Sequence, residues 1–135
     1  MSAGGDRTVR IWDGVAGTVL KTLPVGSSAY ACAISPSGKL VASGSFDGLV
    51  RLWDEASGRH LVTLLTLPED HDHPDWLALT PEGYAAGSDK MLKLGQWRLG
   101  GQSIPAEKLW TTLRQPDMVV RAFKGEAVAE PKLAK

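Results

Sequence analysis

Apolar and polar positions alternate in short runs along the first two thirds of the chain, and turn residues punctuate the runs. A period of two is the strand period, because successive strand side chains point to opposite faces. It predicts strands at residues 7–13 (with Val9 and Ile11 on one face), 19–23, 30–35, 39–45, 49–54 and 59–65. Ser35-Pro36-Ser37-Gly38 reads as a turn, and Asp47-Gly48 suits a tight hairpin. Further strands are expected at 76–80, 84–89 and 91–97. Beyond residue 102 the spacing lengthens. Leu109 and Leu113, Met118 and Ala122, and Val119 and Phe123 each stand four apart, which is helical spacing. Pro105 and Pro116 suit first turns and Gly125 suits a stop, so two short helices are expected at 105–113 and 116–124.

The pattern also repeats. SAGGDRTVRIWDGVAGTVLKTL, from Ser2 to Leu23, returns as SGSFDGLVRLWDEASGRHLVTL from Ser43 to Leu64. The copies align Asp6 with Asp47, Arg10 with Arg51, Trp12 with Trp53, Asp13 with Asp54 and Gly17 with Gly58, a 41-residue spacing. A worn third copy follows. Its Trp76–Gly83 run matches Ile34–Gly38, YAAGSD at 84–89 matches the LVASGSFD run, and Trp97-Arg98 stands 44 residues after Trp53. A period of about 40–45 residues carrying Trp-Asp is the mark of four-stranded β-propeller blades. The chain then holds strands b, c and d of one blade, a full second blade, and a to c of a third.

Composition narrows the function classes. Fifteen basic and fifteen acidic side chains cancel, so nothing steers the chain toward nucleic acid or an anionic membrane. No apolar run reaches the roughly 20 residues of a membrane helix, and MSAGGDRTVRIWD lacks the apolar core of a signal peptide. The single Cys32 forms no internal disulfide, so a cytoplasmic setting is the expectation.

VASGSFDGLVRLWD, at residues 41–54, resembles the WD-repeat (WD40) β-propeller family, and residues 2–98 carry that resemblance. It implies an all-β, partial propeller of about two and a half blades. The expected boundaries are residues 1–102 for the propeller, 103–125 for a helical segment against it, and 126–135 for a flexible tail. The segment from Trp76 through Pro105 to Val120 also resembles the close of large bacterial WD-repeat proteins, and so suggests a C-terminal piece. The resemblance implies blades tied by a loop His, a strand-b Ser or Thr, a turn Asp and a strand-c Trp. Here that set maps onto Ser43, Asp47 and Trp53 without the His, onto Ser2, Asp6 and Trp12, and onto Ser88 and Asp89 with His71 or His73. Asp13, Asp54 and Trp97 complete the blade motifs.

Candidate chemistry is sparse. Glu69-Asp70-His71-Asp72-His73 could hold a divalent metal, or it is a solvated inter-blade loop with one His supporting the blade. Metal sites normally draw ligands from more than one segment, which favours the loop. Cys32, among small apolar neighbours, reads as core rather than nucleophile. No Gly-x-Ser-x-Gly elbow and no P-loop are present. Arg10 and Arg51 either present a basic rim to an acidic partner or pair with blade carboxylates. Phe46, at a hairpin tip, and Trp110 are candidate interface anchors, because aromatic side chains dominate binding hot spots.

The expectation is therefore a protein–protein interaction scaffold without catalysis and without a cofactor. It is a piece of a longer propeller, a half that pairs with a separately encoded half, or a chain that closes its ring by self-association. The alternatives are an accessory domain of a larger enzyme or signalling protein, and a metal-binding loop protein centred on His71 and His73.

Overall fold

The structure is a computed structural model, and it describes residues 1–67, 74–94, 96–99 and 102–132. The chain divides into two compact units, Met1–Thr63 and Leu64–Lys135. The architecture is mostly antiparallel β sheet with a small helical tail, a partial propeller.

In the first unit, β1 (Ser2–Ala3), β2 (Thr8–Trp12) and β3 (Val19–Pro24) form one antiparallel sheet in sequence order. β4 (Ala29–Ile34), β5 (Leu40–Ser45) and β6 (Val50–Asp54) run side by side in the next, followed by β7 (His60–Leu67), whose last four residues belong to the second unit. Registers of Val9 with Leu23, Ile11 with Lys21 and Ala3 with Val9 put these five residues on one face of the first sheet. Registers of Val41 with Trp53 and Ala29 with Ser45 define the facing side of the second. Val9, Ile11, Leu23 and Val25 are buried together with Ala29, Val41 and Trp53 in one core, and Ala3 and Cys32 pack against it. Burying each large apolar side chain contributes about 1.5–3 kcal/mol.

The two sequence copies fold alike down to their turns. Asp13 N–H donates to Thr18 and Gly17 N–H to Asp13, at 2.8 and 2.9 Å; Asp54 N–H to Arg59 and Gly58 N–H to Asp54 repeat this at 2.9 and 2.8 Å. Gly17 and Gly58 both sit at positive φ. The hairpin before β2 matches the hairpin before β6 as closely, with one difference. At the position where Gly48 adopts φ 76°, the first copy places Arg7 at φ 68°.

In the second unit, β8 (Asp75–Leu79) pairs with β9 (Ala85–Gly87). The turn between them reproduces the one before β5. Gly83 N–H donates to Thr80 and Tyr84 N–H to Thr80 Oγ1, just as Gly38 donates to Ser35 and Leu40 to Ser35 Oγ.

After β9 the structure departs from the repeat. The strand expected at residues 91–97 is replaced by helix α1 (Asp89–Leu94), followed by β10 (Gln96–Leu99). DKMLKL contains good helix formers, no β-branched residue and an acid in the first turn, whereas the TVRIW and VRLWD copies carry branched side chains. The helix expected at 105–113 is also broken. Residues 102–105 form β11 (Gln102–Pro105), paired with β10, and the expected boundary at 102/103 falls inside this strand. A 3-10 turn (Ala106–Lys108) and one short helix, α2 (Trp110–Leu113), follow. A residue before proline is pushed toward extended geometry, so Ile104-Pro105 suits a strand better than a helix start. α3 (Pro116–Phe123) starts at its proline as expected. It ends in a Schellman arrangement, with Gly125 N–H donating to Ala122 and Glu126 N–H to Arg121 at 2.9 and 3.1 Å.

Arg7 is exposed and holds a backbone shape that costs a side-chain-bearing residue about 1 kcal/mol. Arg7→Gly is expected to stabilise the chain by about 0.5–1 kcal/mol, read as a raised urea midpoint. An unchanged or lowered midpoint contradicts this account of the turn.

Candidate interaction site

Each of the first two repeats builds the same small polar frame. Trp12 Nε1–H donates to Ser2 Oγ, and Trp53 Nε1–H to Ser43 Oγ, both at 2.9 Å. The serine stands on the strand next to the tryptophan, within reach of the indole. Arg10 pairs with Asp6 at 2.5 Å and Arg51 with Asp47 at 2.7 Å. Both arginines therefore lie along the sheet on blade carboxylates and do not form a free basic rim. Asp13 accepts from the N–H groups of Val15 and Ala16, and Asp54 from the N–H and hydroxyl of Ser57.

All four carboxyls are held below the ordinary value of 3.8. For Asp6 the Thr8 hydroxyl is the largest cause and Arg10 the next. For Asp13 the causes are backbone N–H groups, led by Ala16. For Asp54 the Ser57 hydroxyl leads. The Arg51 guanidinium brings Asp47 to about 2, helped by Ser45. A carboxylate held ionised by several donors is a poor proton acceptor, so these groups hold turns rather than move protons.

The structure distributes the expected blade set differently from the family pattern. Ser43 meets Trp53, but Asp47 takes its hydroxyl donor from Ser45, at 2.6 Å. His60 lies over the Trp53 ring, with centroids 4.9 Å apart, and contacts Thr63 Oγ1. In the third repeat Ser88 Oγ donates to Asp75 at 2.7 Å, while Asp89 is paired with Arg114 at 2.8 Å. Ser88 and Asp89 therefore serve different neighbours. Asp70, His71, Asp72 and His73 lie outside the described residues, as does the side chain of Trp97. Among the described residues no group of three His, Cys, Asp or Glu is placed to hold a metal, and no helix is long and apolar enough to cross a membrane.

Phe46 stands on the hairpin tip between β5 and β6, 79% exposed. Tyr30, 63% exposed, meets it edge to face with centroids 5.5 Å apart. The pair rests on firm backbone. Phe46 N–H donates to Ser28, and the Tyr30 ring lies 3.7 Å from where a Cβ on Gly44 would stand. Tyr30 was not legible as a site residue, because its strand reads as plain alternation. Its position beside Phe46 comes from a bulge in β4 at Ala29–Ala31. Trp110, at the start of α2, is half-buried.

Residues 17–54 match the family model described as WD domain, G-beta repeat. That segment is similar to a WD repeat. The chain is 42% identical over 66 residues to a Caenorhabditis elegans protein named Small ribosomal subunit protein RACK1, covering 47% of this chain and 20% of that one. It is 37% identical over 86 residues to Cross-pathway control WD-repeat protein 2 of Flammulina velutipes, covering 62% of this chain and 26% of that one. The matches thus span about a fifth to a quarter of these relatives' length.

Two predictions follow from the WD frame. Ser43→Ala leaves the buried Trp53 N–H without its acceptor and is expected to destabilise by about 1–3 kcal/mol. Ser2→Ala, on an exposed copy of the same bond, is expected to stay within about 0.5 kcal/mol. Equal effects in chemical denaturation would refute the distinction. The second concerns acid. Asp47 has a lowered folded-state pKa, so its contribution is full above about 4 and fades as pH falls toward about 2. Solvent screening limits it to about 1 kcal/mol. Asp47→Asn is expected to flatten the stability–pH curve between pH 4 and 2, which thermal melts across that range will read.

Proposed function

We propose that this chain is a non-catalytic protein-interaction platform, a stack of WD-type sheets that further blades continue, with Tyr30 and Phe46 as the partner-binding anchor. The observation that carries the reading is the exposed edge-to-face pair at a hairpin tip, seated on a hydrogen-bonded frame. Two large rigid aromatics bring contact area at little entropic cost, which is the character of interface hot spots. The carboxylates of the frame are occupied as acceptors, which fits a scaffold rather than a proton-transfer site. The names of the relatives agree in kind: one is a protein of the small ribosomal subunit, itself an assembly, and the other a WD-repeat protein of cross-pathway control.

The test compares proteins that co-purify with the chain against those retained by Phe46→Ala, Tyr30→Ala and the exposed-site control Val120→Ser. Each aromatic truncation is expected to weaken a specific partner at least about tenfold, with the melting temperature unchanged. Retention of every partner at full affinity by both aromatic variants would remove the assignment.

A further inference from the structure

The turn before β5 and the turn before β9 share their hydrogen bonds but not their surroundings. Pro36, Ser37 and Gly38 are exposed, and a Cβ added to Gly38 would meet nothing within 4 Å. The Ser37 hydroxyl is satisfied by Ser35 Oγ at 3.1 Å. In the later copy Gly83 is half-buried, and Pro131 Cγ lies 3.9 Å from where its Cβ would stand. Glu82, at the position of Ser37, is half-buried too. Its Oε2 is closed off from solvent and, among the described residues, meets no hydrogen-bond donor. A carboxylate oxygen left dry and unpaired raises the free energy of the state that buries it.

Pro131 comes from the segment after α3. That segment leaves the helix in a fixed direction. Gly125 takes φ 82°, Glu126 N–H donates to the Arg121 carbonyl, and the Glu126 carboxylate pairs with the Arg121 guanidinium at 2.8 Å. Residues 127–132 then join no helix or strand; Val128 and Pro131 are half-buried and the rest are exposed. A segment seated by two side chains, with no ladder to hold it, opens locally at small free-energy cost. We infer that residues 126–132 are a releasable strap over the Thr80–Gly83 turn, and that Glu82 beneath it keeps the strap close to opening. Closing strips water from Glu82 Oε2 and supplies no donor in return, and opening restores the water. Opening also uncovers Glu82 and Gly83, the surface that Ser37 and Gly38 present freely one repeat earlier. A ligand for that surface shifts an equilibrium that Glu82 already biases toward release. The strap and the Tyr30–Phe46 anchor share no residue, so either assignment can fail alone.

Elastase, which cuts after small apolar residues, reads the opening at Ala127-Val128-Ala129, because a seated segment must leave its place to enter a protease cleft. Glu82→Met keeps the length of the side chain and removes the oxygen. It is expected to slow cleavage there at least about fivefold. Pro131→Asp unseats the strap and is expected to speed cleavage at least about fivefold. With Pro131→Asp in place, Glu82→Met is expected to change the rate by less than about twofold, because the oxygen is then hydrated from the start. Circular dichroism confirms that each variant is folded, and Glu82→Leu serves if Glu82→Met is not. The proposal is overturned if the apolar replacement of Glu82 leaves cleavage unchanged or speeds it. It is equally overturned if Pro131→Asp does not accelerate cleavage, or if the Glu82 effect is as large with Pro131→Asp as without it.

Discussion

A buried indole must give its N–H to something, and in this chain that requirement organises the sheet. Trp53 supplies the largest apolar surface of the first unit's core and one polar atom that water no longer serves. Ser43, one strand over and itself fully buried, accepts that hydrogen at 2.9 Å. The bond places β6 on β5, and slipping the ladder by one residue would turn both side chains to the other face. Val41, Trp53 and Ala29 then lie on the side that meets Val9, Ile11 and Leu23. Core packing, strand register and the satisfied donor thus agree on one facing of this sheet.

Charge in this frame is spent on geometry. Asp6 and Asp47 bridge their hairpins to the arginine four residues on, and Asp13 and Asp54 close the next turns through backbone N–H groups. Each carboxylate has its acceptors occupied by groups close in sequence. The turns thereby become firm supports, and the residues that project from them, Phe46 above all, are held in place by backbone rather than by side-chain packing. Rigid aromatic anchors on a rigid rim are what a binding platform requires, because little freedom is lost when a partner arrives.

The departures from the repeat have local causes. The third copy keeps its turn chemistry, so Thr80 and Gly83 reproduce the Ser35 and Gly38 hydrogen bonds. It loses the branched side chains that favour a strand, and Asp89–Leu94 coils into a helix. Periodicity located this copy through Trp97 but carried no information on the backbone state of the residues leading to it. Likewise the four-residue spacing of Leu109 and Leu113 is real, yet Pro105 and the ladder to β10 claim the residues before it.

The sequence by itself determined the 41-residue repeat and its turn glycines, and it set the Asp–Arg and Trp–Ser partners at most ten residues apart, close enough to meet locally once the strands pair. It also determined the antiparallel class, through alternation. Only the tertiary structure decided which copy of each motif is buried. Trp12 and Trp53 are indistinguishable by pattern, and their different exposure arises because a sheet lies over Trp53 whereas no described sheet lies over Trp12. The meeting of Tyr30 with Phe46 was decided in the same way, by a bulge in β4. Burial depends on what another element brings to a face, and no alternation within a strand encodes that.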